Sequence, residues 1–312
     1  MANGSLVRSR FLVTQSWLER CRDDRSVVLI EVGESRSAYE EGHLPGAVAI
    51  DVAELTDPVR NDPLDQQAFE RLMAYTGISP RHTVVLYSGG DSRYAAYACW
   101  IFRLYGHADV RLLDGGRKRW ELAGRPLVTD VPVRPRTLYE ALPRRGSMLA
   151  GRDIVLGGKA RLVDVRSPRE FTGQLVAPAH LARQYSRGGH IPGAINLPWS
   201  IPIKSDGTVR PGEELRRRYA AALSEPGQET IVYGLDAATA AHTVFILRQL
   251  LGIPDVSLYH GSWGEYASLA GAPVESGGRP YPSSKRVVRY GEAAPAGEQY
   301  RRLKEPTRKA YR

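Results

Sequence analysis

The chain has 312 residues, of which 42% are hydrophobic and 25% are charged, as in soluble proteins of about two domains. This balance excludes a disordered chain, a collagen-like chain and a coiled coil. The two cysteines, Cys21 and Cys99, are too few for a disulfide framework or a cysteine-built zinc site.

The net charge of +9 is concentrated near the C-terminus, where residues 277–312 hold ten Lys and Arg against three Asp and Glu. This tail also carries Tyr281, Tyr290, Tyr300 and Tyr311. It is predicted to be solvated or to pack back through its tyrosines, and binding of an acidic partner is the alternative. Nucleic acid is not an expected partner. Because the chain has neither a run of about 20 apolar residues nor a signal peptide, we expect a cytoplasmic protein without a membrane partner.

Internal repeats predict a duplicated architecture. The recurring pairs are GHLPGA at 42–47 with GHIPGA at 189–194, VVLY at 84–87 with TIVY at 230–233, and LIEV at 29–32 with LVDV at 162–165. The first two pairs are offset by 147 and 146 residues and the third by 133, which places an insertion within 173–189.

Each copy alternates short apolar strands with helical segments, which predicts an α/β fold with a parallel sheet and helices on both faces. The strands are expected at 27–32 and 83–87, and helices at 95–105 and 240–251. The predicted domains are 1–128 and 155–275, joined by a linker over 129–154 and followed by a tail over 276–312.

Longer motifs relate the chain to a known family. The first copy continues with LYGH, DVRLLDGGRKRW and AGRPL, and the second contains LVDVRSPREF, GHIPGAINLPW and YHGSW. With these motifs the chain resembles the tandem-domain rhodaneses, which are thiosulfate and mercaptopyruvate sulfurtransferases. The resemblance implies two rhodanese-like domains, of which the first is non-catalytic, with the chemistry in the loop that follows the strand ending at Tyr233.

In that family the loop begins with a cysteine whose thiolate takes up sulfur, in patterns such as C-R-K-G-V-T-A or C-G-S-G-V-T-A. Here the loop reads GLDAATA, so Gly234 stands at the cysteine position. The resemblance therefore implies that neither standard activity is present. The first-copy loop at 88–93 also lacks cysteine, Cys99 is expected to be a buried helix residue, and Cys21 lies in an amphipathic stretch.

The resemblance places the site in a groove between the domains, with Glu34 opposite the loop at 234–239. Asp236 and Glu34 are the predicted catalytic residues, because paired carboxylates raise one pKa and supply a general acid. The predicted substrate-binding residues are Gly234, Leu235, Ala237, Ala238, Thr239, Arg183 and Arg187. The alternative is that the charged groups are merely solvated. His242 is expected to be a hydrogen-bonded helix residue, and no metal or cofactor is predicted.

Three functions remain open from the sequence. The first is an enzyme repurposed to non-cysteine chemistry on a small anionic or polar substrate. The second is a non-catalytic protein that binds a ligand or a protein partner. The third, a thiosulfate sulfurtransferase, rests on family similarity only.

Overall fold

The computed structural model describes residues 10–177, 187–222 and 228–281. These residues form two five-stranded parallel sheets. The first sheet contains β1 (Leu12–Val13), β2 (Val27–Gly33), β3 (Val48–Asp51), β6 (Thr83–Tyr87) and β7 (Val110–Leu113). A small antiparallel hairpin pairs β4 (Thr56–Asp57) with β5 (Asp62–Pro63). The second sheet contains β8 (Leu149–Ala150), β9 (Arg161–Asp164), β10 (Ile195–Asn196), β11 (Thr230–Tyr233) and β12 (Val256–Tyr259).

The two sheets have the same topology. The first has the strand order β1-β7-β6-β2-β3, and the second, starting from β8, has the order β8-β12-β11-β9-β10. Each strand therefore has a counterpart in the other copy. The structure confirms the duplicated α/β plan and the strands predicted at 27–32 and 83–87.

Helices connect the strands. In the first copy they are α1 (Gln15–Arg20), α2 (Arg36–Glu40), α3 (Gln66–Thr76), α4 (Arg93–Leu104) and α5 (Gly116–Leu122). In the second copy they are α6 (Arg152–Leu156), α7 (Pro168–Phe171), α8 (Gly212–Arg218), α9 (Ala237–Phe245) and α10 (Ser262–Tyr266). Short 3-10 turns cover Val52–Leu55, Gly146–Met148 and Ala220–Ala222, and a π turn covers Ile246–Leu250. Within the described ranges, no helix has the length and apolar character needed to cross a bilayer.

Both faces of each sheet are buried, because alternate residues of a strand point to opposite sides. On β2, Val28, Ile30 and Val32 join one apolar cluster, whereas Leu29 joins another. The cluster around Ile30 also contains Val163 and other residues of the second sheet, together with residues of α4 and α9. The two copies thus share an apolar core, in which α4 packs against α9. Both belong to one compact unit that ends at Tyr281.

The second sheet begins inside the segment predicted as the linker, because Leu149–Ala150 pairs with β12 as its edge strand. A two-residue strand carries no periodic pattern, so the sequence did not reveal it. At the other end, the Gly277 N–H donates to the Thr172 carbonyl at 3.0 Å, and the Tyr281 N–H donates to Asn196 Oδ1 at 3.3 Å. The start of the predicted tail is therefore bound to the second copy, and the rest of the tail lies outside the described residues.

Candidate functional site

The loop after β11 is shorter than predicted, because α9 starts at Ala237 and not after Thr239. Asp236 is its N-cap, and Asp236 Oδ1 accepts hydrogen bonds from the Thr239 N–H at 2.8 Å and from Thr239 Oγ1 at 2.7 Å. Aspartate favours the N-cap position and alanine has the highest helix propensity, so the run Asp236-Ala237-Ala238 extends the helix toward β11. The prediction that residues 237–239 form part of a loop is therefore wrong.

The remaining loop residues are tied to the start of α10. The Gly234 N–H donates to Ser262 Oγ at 3.3 Å, and the Gly234 and Leu235 carbonyls accept from the N–H groups of Trp263 and Gly264 at 2.9 and 3.3 Å. Ser262 has a φ of 51°, a left-handed conformation that is uncommon for a residue with a side chain. A Cβ atom added at Gly234 would lie only 3.0 Å from both the Asp236 carbonyl oxygen and the Thr239 Cβ. The loop is therefore packed around a residue without a side chain.

Asp236 also changes what the N-terminus of α9 can bind. Helix N-termini attract anions, because their first N–H groups are unpaired and carry partial positive charge. Here the Thr239 N–H and hydroxyl, which were expected to hold a substrate group, both donate to the chain's own carboxylate. We infer that the Asp236 carboxylate occupies the N-terminus of α9, where a family member would hold an anion.

This geometry leads to a prediction that separates capping from catalysis. We expect Asp236→Ala to lower the free energy of unfolding by about 0.5–2 kcal/mol, because alanine cannot accept the two hydrogen bonds. Asp236→Asn should keep nearly all the stability, since asparagine is an equally good N-cap. Urea denaturation of both variants checks this. Equal stability of the alanine variant and the wild type would contradict the capping role.

Residues of α4 face this loop from the first copy. The Arg93 guanidinium binds Asp91, with Nε 2.8 Å from Oδ1, and lies 5.0 Å from the centre of the Trp199 ring. Burial lowers the pKa of Arg93, but the negative charges of Asp91 and, further away, Asp236 outweigh burial and raise it. The two copies thus meet at a junction that contains both signs of charge.

Glu34 joins this junction through Tyr94, whose hydroxyl donates to Glu34 Oε1. The pKa of Tyr94 is raised by burial, by this hydrogen bond and by the charges of Glu34 and Asp236, so the phenol stays protonated near neutral pH. We call Glu34, Asp91, Arg93, Tyr94, Trp199 and Asp236 the groove cluster. Glu34 contacts Tyr94 directly, whereas Asp236 is included because its charge raises the pKa values of Arg93 and Tyr94. The catalytic roles of both carboxylates stay predictions.

The two predicted arginines do not join the cluster in the described structure. Arg183 lies outside the described residues. The Arg187 guanidinium donates to the carbonyl oxygens of Ala272 and Leu269 at 2.7 and 3.4 Å, beyond the end of α10. Its side chain therefore holds together segments of the second copy, and the expected approach to the groove is not seen.

Two buried histidines differ in their hydrogen bonding, and His242 lies in α9 as expected. His242 is 1% exposed and its Nδ1 has no hydrogen-bond partner among the described residues, so the expectation of a hydrogen-bonded histidine is wrong for that atom. Burial lowers the pKa of His242 to about 4, which keeps it neutral at pH 7. His260 links the copies: its Nδ1 donates to the Asn61 carbonyl at 3.0 Å, so Nε2 accepts from the Tyr97 hydroxyl at 2.8 Å.

The cysteines offer no substitute for a thiol at Gly234. Cys99 is 1% exposed within α4, and burial raises its pKa, both of which oppose thiolate formation. Cys21 is half-buried at the C-terminal end of α1. Among the described residues, no group of three or more His, Cys, Asp or Glu side chains could hold a metal ion.

Sequence reasoning missed Arg93, Tyr94 and Trp199 as members of the cluster. The signal was weak but present, because Arg93 ends the first-copy counterpart of the loop at 234–239. From the sequence, this loop is notable only for its lack of a cysteine. That it faces the second copy depends on the packing of α4 against α9.

Comparison with known proteins gives the family. The rhodanese-like domain model matches residues 14–123 and 151–269. The chain is 48% identical over 276 residues to a Mycolicibacterium smegmatis protein named "Putative thiosulfate sulfurtransferase", covering 87% of this chain and 100% of that one. It is 42% identical over 275 residues to the Thermus thermophilus sulfur carrier protein TtuD, covering 85% and 96% of the two chains. The chain therefore belongs to the rhodanese family.

Solved structures show the same fold. The anaerobic ergothioneine biosynthesis enzyme from Chlorobium limicola, solved with trimethyl histidine, matches with a TM-score of 0.76 at 23% identity, over 87% of this chain and 71% of that one. YnjE matches with a TM-score of 0.75 at 26% identity, over 86% and 69%.

Proposed function

We propose that this chain is a rhodanese-family protein that does not carry sulfur on the loop after β11 and instead binds a small polar molecule at the groove cluster. The observation that carries the proposal is the carboxylate of Asp236, which accepts hydrogen bonds from the Thr239 N–H and hydroxyl at the N-terminus of α9. A persulfide or thiosulfate would have to compete with this covalently attached anion.

The names of the relatives favour sulfur transfer, but that chemistry requires a thiolate as the nucleophile. Gly234 has no side chain, and Cys99 is buried within a helix. We therefore do not propose sulfur transfer for this chain, although its relatives are named for that activity.

Charge at the groove cluster favours a neutral or cationic ligand over an anion. The cluster contains the carboxylates of Glu34, Asp91 and Asp236 against the single guanidinium of Arg93, which is already paired with Asp91. A dianion such as thiosulfate would meet net repulsion there. Of the small anionic or polar substrates expected from the sequence, the charges support the polar ones.

A second candidate, acid–base catalysis, is favoured by the contact between Glu34 and Tyr94. Because the pKa of Tyr94 is raised, its phenol is a hydrogen-bond donor that orients the Glu34 carboxylate. Glu34 is exposed to solvent, so a ligand in the groove could reach it. Glu34 would then be the base, and Tyr94 would position it.

A thermal-shift survey tests the binding proposal. We expect amino alcohols, quaternary ammonium compounds or neutral amides to raise the melting temperature, because they avoid repulsion by the three carboxylates. Glu34→Gln and Tyr94→Phe should abolish the shift, whereas Glu40→Gln, an exposed position at the end of α2, should keep it. A larger shift with thiosulfate or sulfate, or shifts insensitive to both groove variants, would refute the proposal.

A further inference from the structure

Two segments of the chain concentrate positive charge on the first copy. Residues 71–82 and 131–139 contain four arginines and neither Asp nor Glu. The first segment is the second half of α3 with the turn after it, and the second belongs to the irregular connecting segment between the copies. No carboxylate of the described residues lies within ion-pair distance of these arginines, which are Arg71, Arg81, Arg134 and Arg136. Their charge is therefore not neutralised by a direct partner in that part of the chain.

The connecting segment is fixed against α3 by hydrogen bonds. The Thr137 N–H donates to the Ala74 carbonyl at 3.1 Å, and Thr137 Oγ1 donates to the Ile78 carbonyl. Arg134 Nε donates to the Gly77 carbonyl at 3.4 Å. These bonds hold the two basic segments side by side, so their charges act on the same stretch of surface.

Two of the guanidinium groups are held in place on this surface. Arg136 lies over the ring of Tyr75, with its Cζ atom 5.1 Å from the ring centre, and Tyr75 is 63% exposed. Partial burial lowers the pKa of Arg134, and no neighbouring carboxylate counteracts this. A guanidinium that loses part of its hydration without gaining a counter-charge favours the approach of an anion.

Aliphatic side chains project beside these guanidinium groups. Val133 and Leu138 are 96% and 91% exposed, and they flank the two arginines in the sequence VRPRTL. We call Tyr75, Val133, Arg134, Arg136 and Leu138 the linker face. This face combines positioned positive charge with exposed apolar groups.

The composition of the linker face suits an acidic protein segment. A guanidinium binds a carboxylate through two parallel N–H groups, which makes a positioned arginine selective for such a partner. Val133 and Leu138 gain from contact with apolar side chains, which a nucleic-acid backbone does not offer. An anionic membrane surface attracts any cluster of Lys and Arg, so it does not require the fixed geometry of Arg134 and Arg136.

We propose that the linker face binds an acidic segment of another protein that also carries apolar side chains. Its carboxylates pair with Arg134 and Arg136, and its apolar side chains contact Val133 and Leu138. The site contains no residue of the groove cluster, so it goes beyond the small-molecule binding proposed above and does not depend on it.

Fluorescence anisotropy on the full chain tests this proposal with a short fluorescein-labelled peptide in which Glu alternates with Leu. We expect saturable binding that weakens with added salt, because salt screens exposed charges, and no binding when Gln replaces Glu in the peptide. Arg134→Gln combined with Arg136→Gln should weaken binding by about tenfold or more, because two surface ion pairs are lost. Leu138→Ser should weaken it by about threefold, because an apolar contact is lost.

Matched controls separate this site from others on the chain. Arg216→Gln combined with Arg217→Gln removes two exposed arginines of α8, hence the same net charge, and should bind the peptide as the wild type does. Glu34→Gln should leave peptide binding unchanged although it abolishes the thermal shift at the groove cluster, so failure of either proposal can be recognised. If the double variant of the linker face does not fold, Leu138→Ser tests the same face at an exposed position.

Several outcomes would overturn the proposal. One is the absence of saturable peptide binding to the wild type, and another is equal affinity in the folded Arg134→Gln and Arg136→Gln variant. Tighter binding of phosphatidylserine vesicles or of a single-stranded oligonucleotide, lost in the same variant, would assign the face to lipid or nucleic acid instead. A smaller oligomer of this variant in sedimentation would assign it to contacts between copies of this chain.

Discussion

Gly234→Cys is expected to leave thiosulfate turnover at background, and the wild type should show none. Loss of a catalytic nucleophile costs a factor on the order of 10⁴ to 10⁶, so the wild type should be indistinguishable from the uncatalysed reaction. Restoring the thiol alone should fail for two reasons. The new Cβ would lie 3.0 Å from the Asp236 carbonyl oxygen, and the Asp236 carboxylate would still occupy the helix N-terminus.

Electrostatics adds to this obstacle. Where the thiosulfate-type pattern has two cations after the cysteine, this chain has Leu235 and Asp236. At about 6 Å and an effective dielectric constant near 20, each unit of charge contributes roughly 3 kcal/mol against a unit anion, before solvent screening reduces it. Thiosulfate binding should therefore be weak even with a thiol present.

The measurement is cyanide-dependent thiocyanate formation by the wild type, by Gly234→Cys, and by Gly234→Cys combined with Leu235→Arg and Asp236→Lys. If charge and capping are the obstacles, only the triple variant should gain activity. A Cys21→Ser and Cys99→Ser variant is the control for thiols elsewhere. Robust turnover by Gly234→Cys alone would show that charge and capping do not prevent thiosulfate turnover. Wild-type turnover that survives loss of both cysteines would show that the reaction needs no thiol of this chain.

Arg166→Met is expected to lower the free energy of unfolding by about 3–5 kcal/mol, because it leaves the Asp164 carboxylate buried without its counter-charge. Arg166 and Asp164 are 1% and 0% exposed, and the guanidinium also lies 4.2 Å from the centre of the Trp263 ring. The pKa of Arg166 is lowered by burial, but Asp164 outweighs burial and raises it, so the arginine stays charged.

Chemical denaturation of the variant measures this loss. Arg152→Met is the matched control, because Arg152 is 50% exposed and lies 3.6 Å from Glu265, and a surface pair of this kind contributes only about 0–1 kcal/mol. Adding Asp164→Asn to Arg166→Met should recover most of the lost stability, since the unpaired charge is then removed. A loss equal to that of Arg152→Met would contradict the assignment of a strong buried pair.

Local sequence patterns account for most of the fold. Short apolar runs bounded by polar residues predicted β2 and β6 correctly, because strands buried on both faces carry apolar residues at nearly every position. The start of α9 is also encoded locally, by an aspartate followed by two alanines. The resemblance to the family's loop predicted a loop over 234–239 instead. An N-cap acts over three residues, so its signal is present in the local sequence.

Partners that are distant in the sequence could not be inferred in the same way. Arg93 meets Trp199 only because α4 packs against α9 and brings the two copies together. Tyr94 meets Glu34 within the first copy, where the fold brings together two residues that are 60 positions apart. The positive charge of residues 71–82 and 131–139 can be counted in the sequence, but the contact of Arg136 with Tyr75 depends on the hydrogen bonds that fix the connecting segment against α3.

The amino-acid sequence by itself determined the duplicated α/β fold, the rhodanese family and the absence of a thiol at Gly234, because these depend on residue identity and short-range periodicity. Only the tertiary structure decided that Asp236 caps α9, that Arg187 lies away from the groove cluster and that Thr137 bonds to the end of α3. The physical reason is that hydrogen-bond partners are set by which side chains packing brings within about 3 Å, and this distance is not a property of sequence spacing.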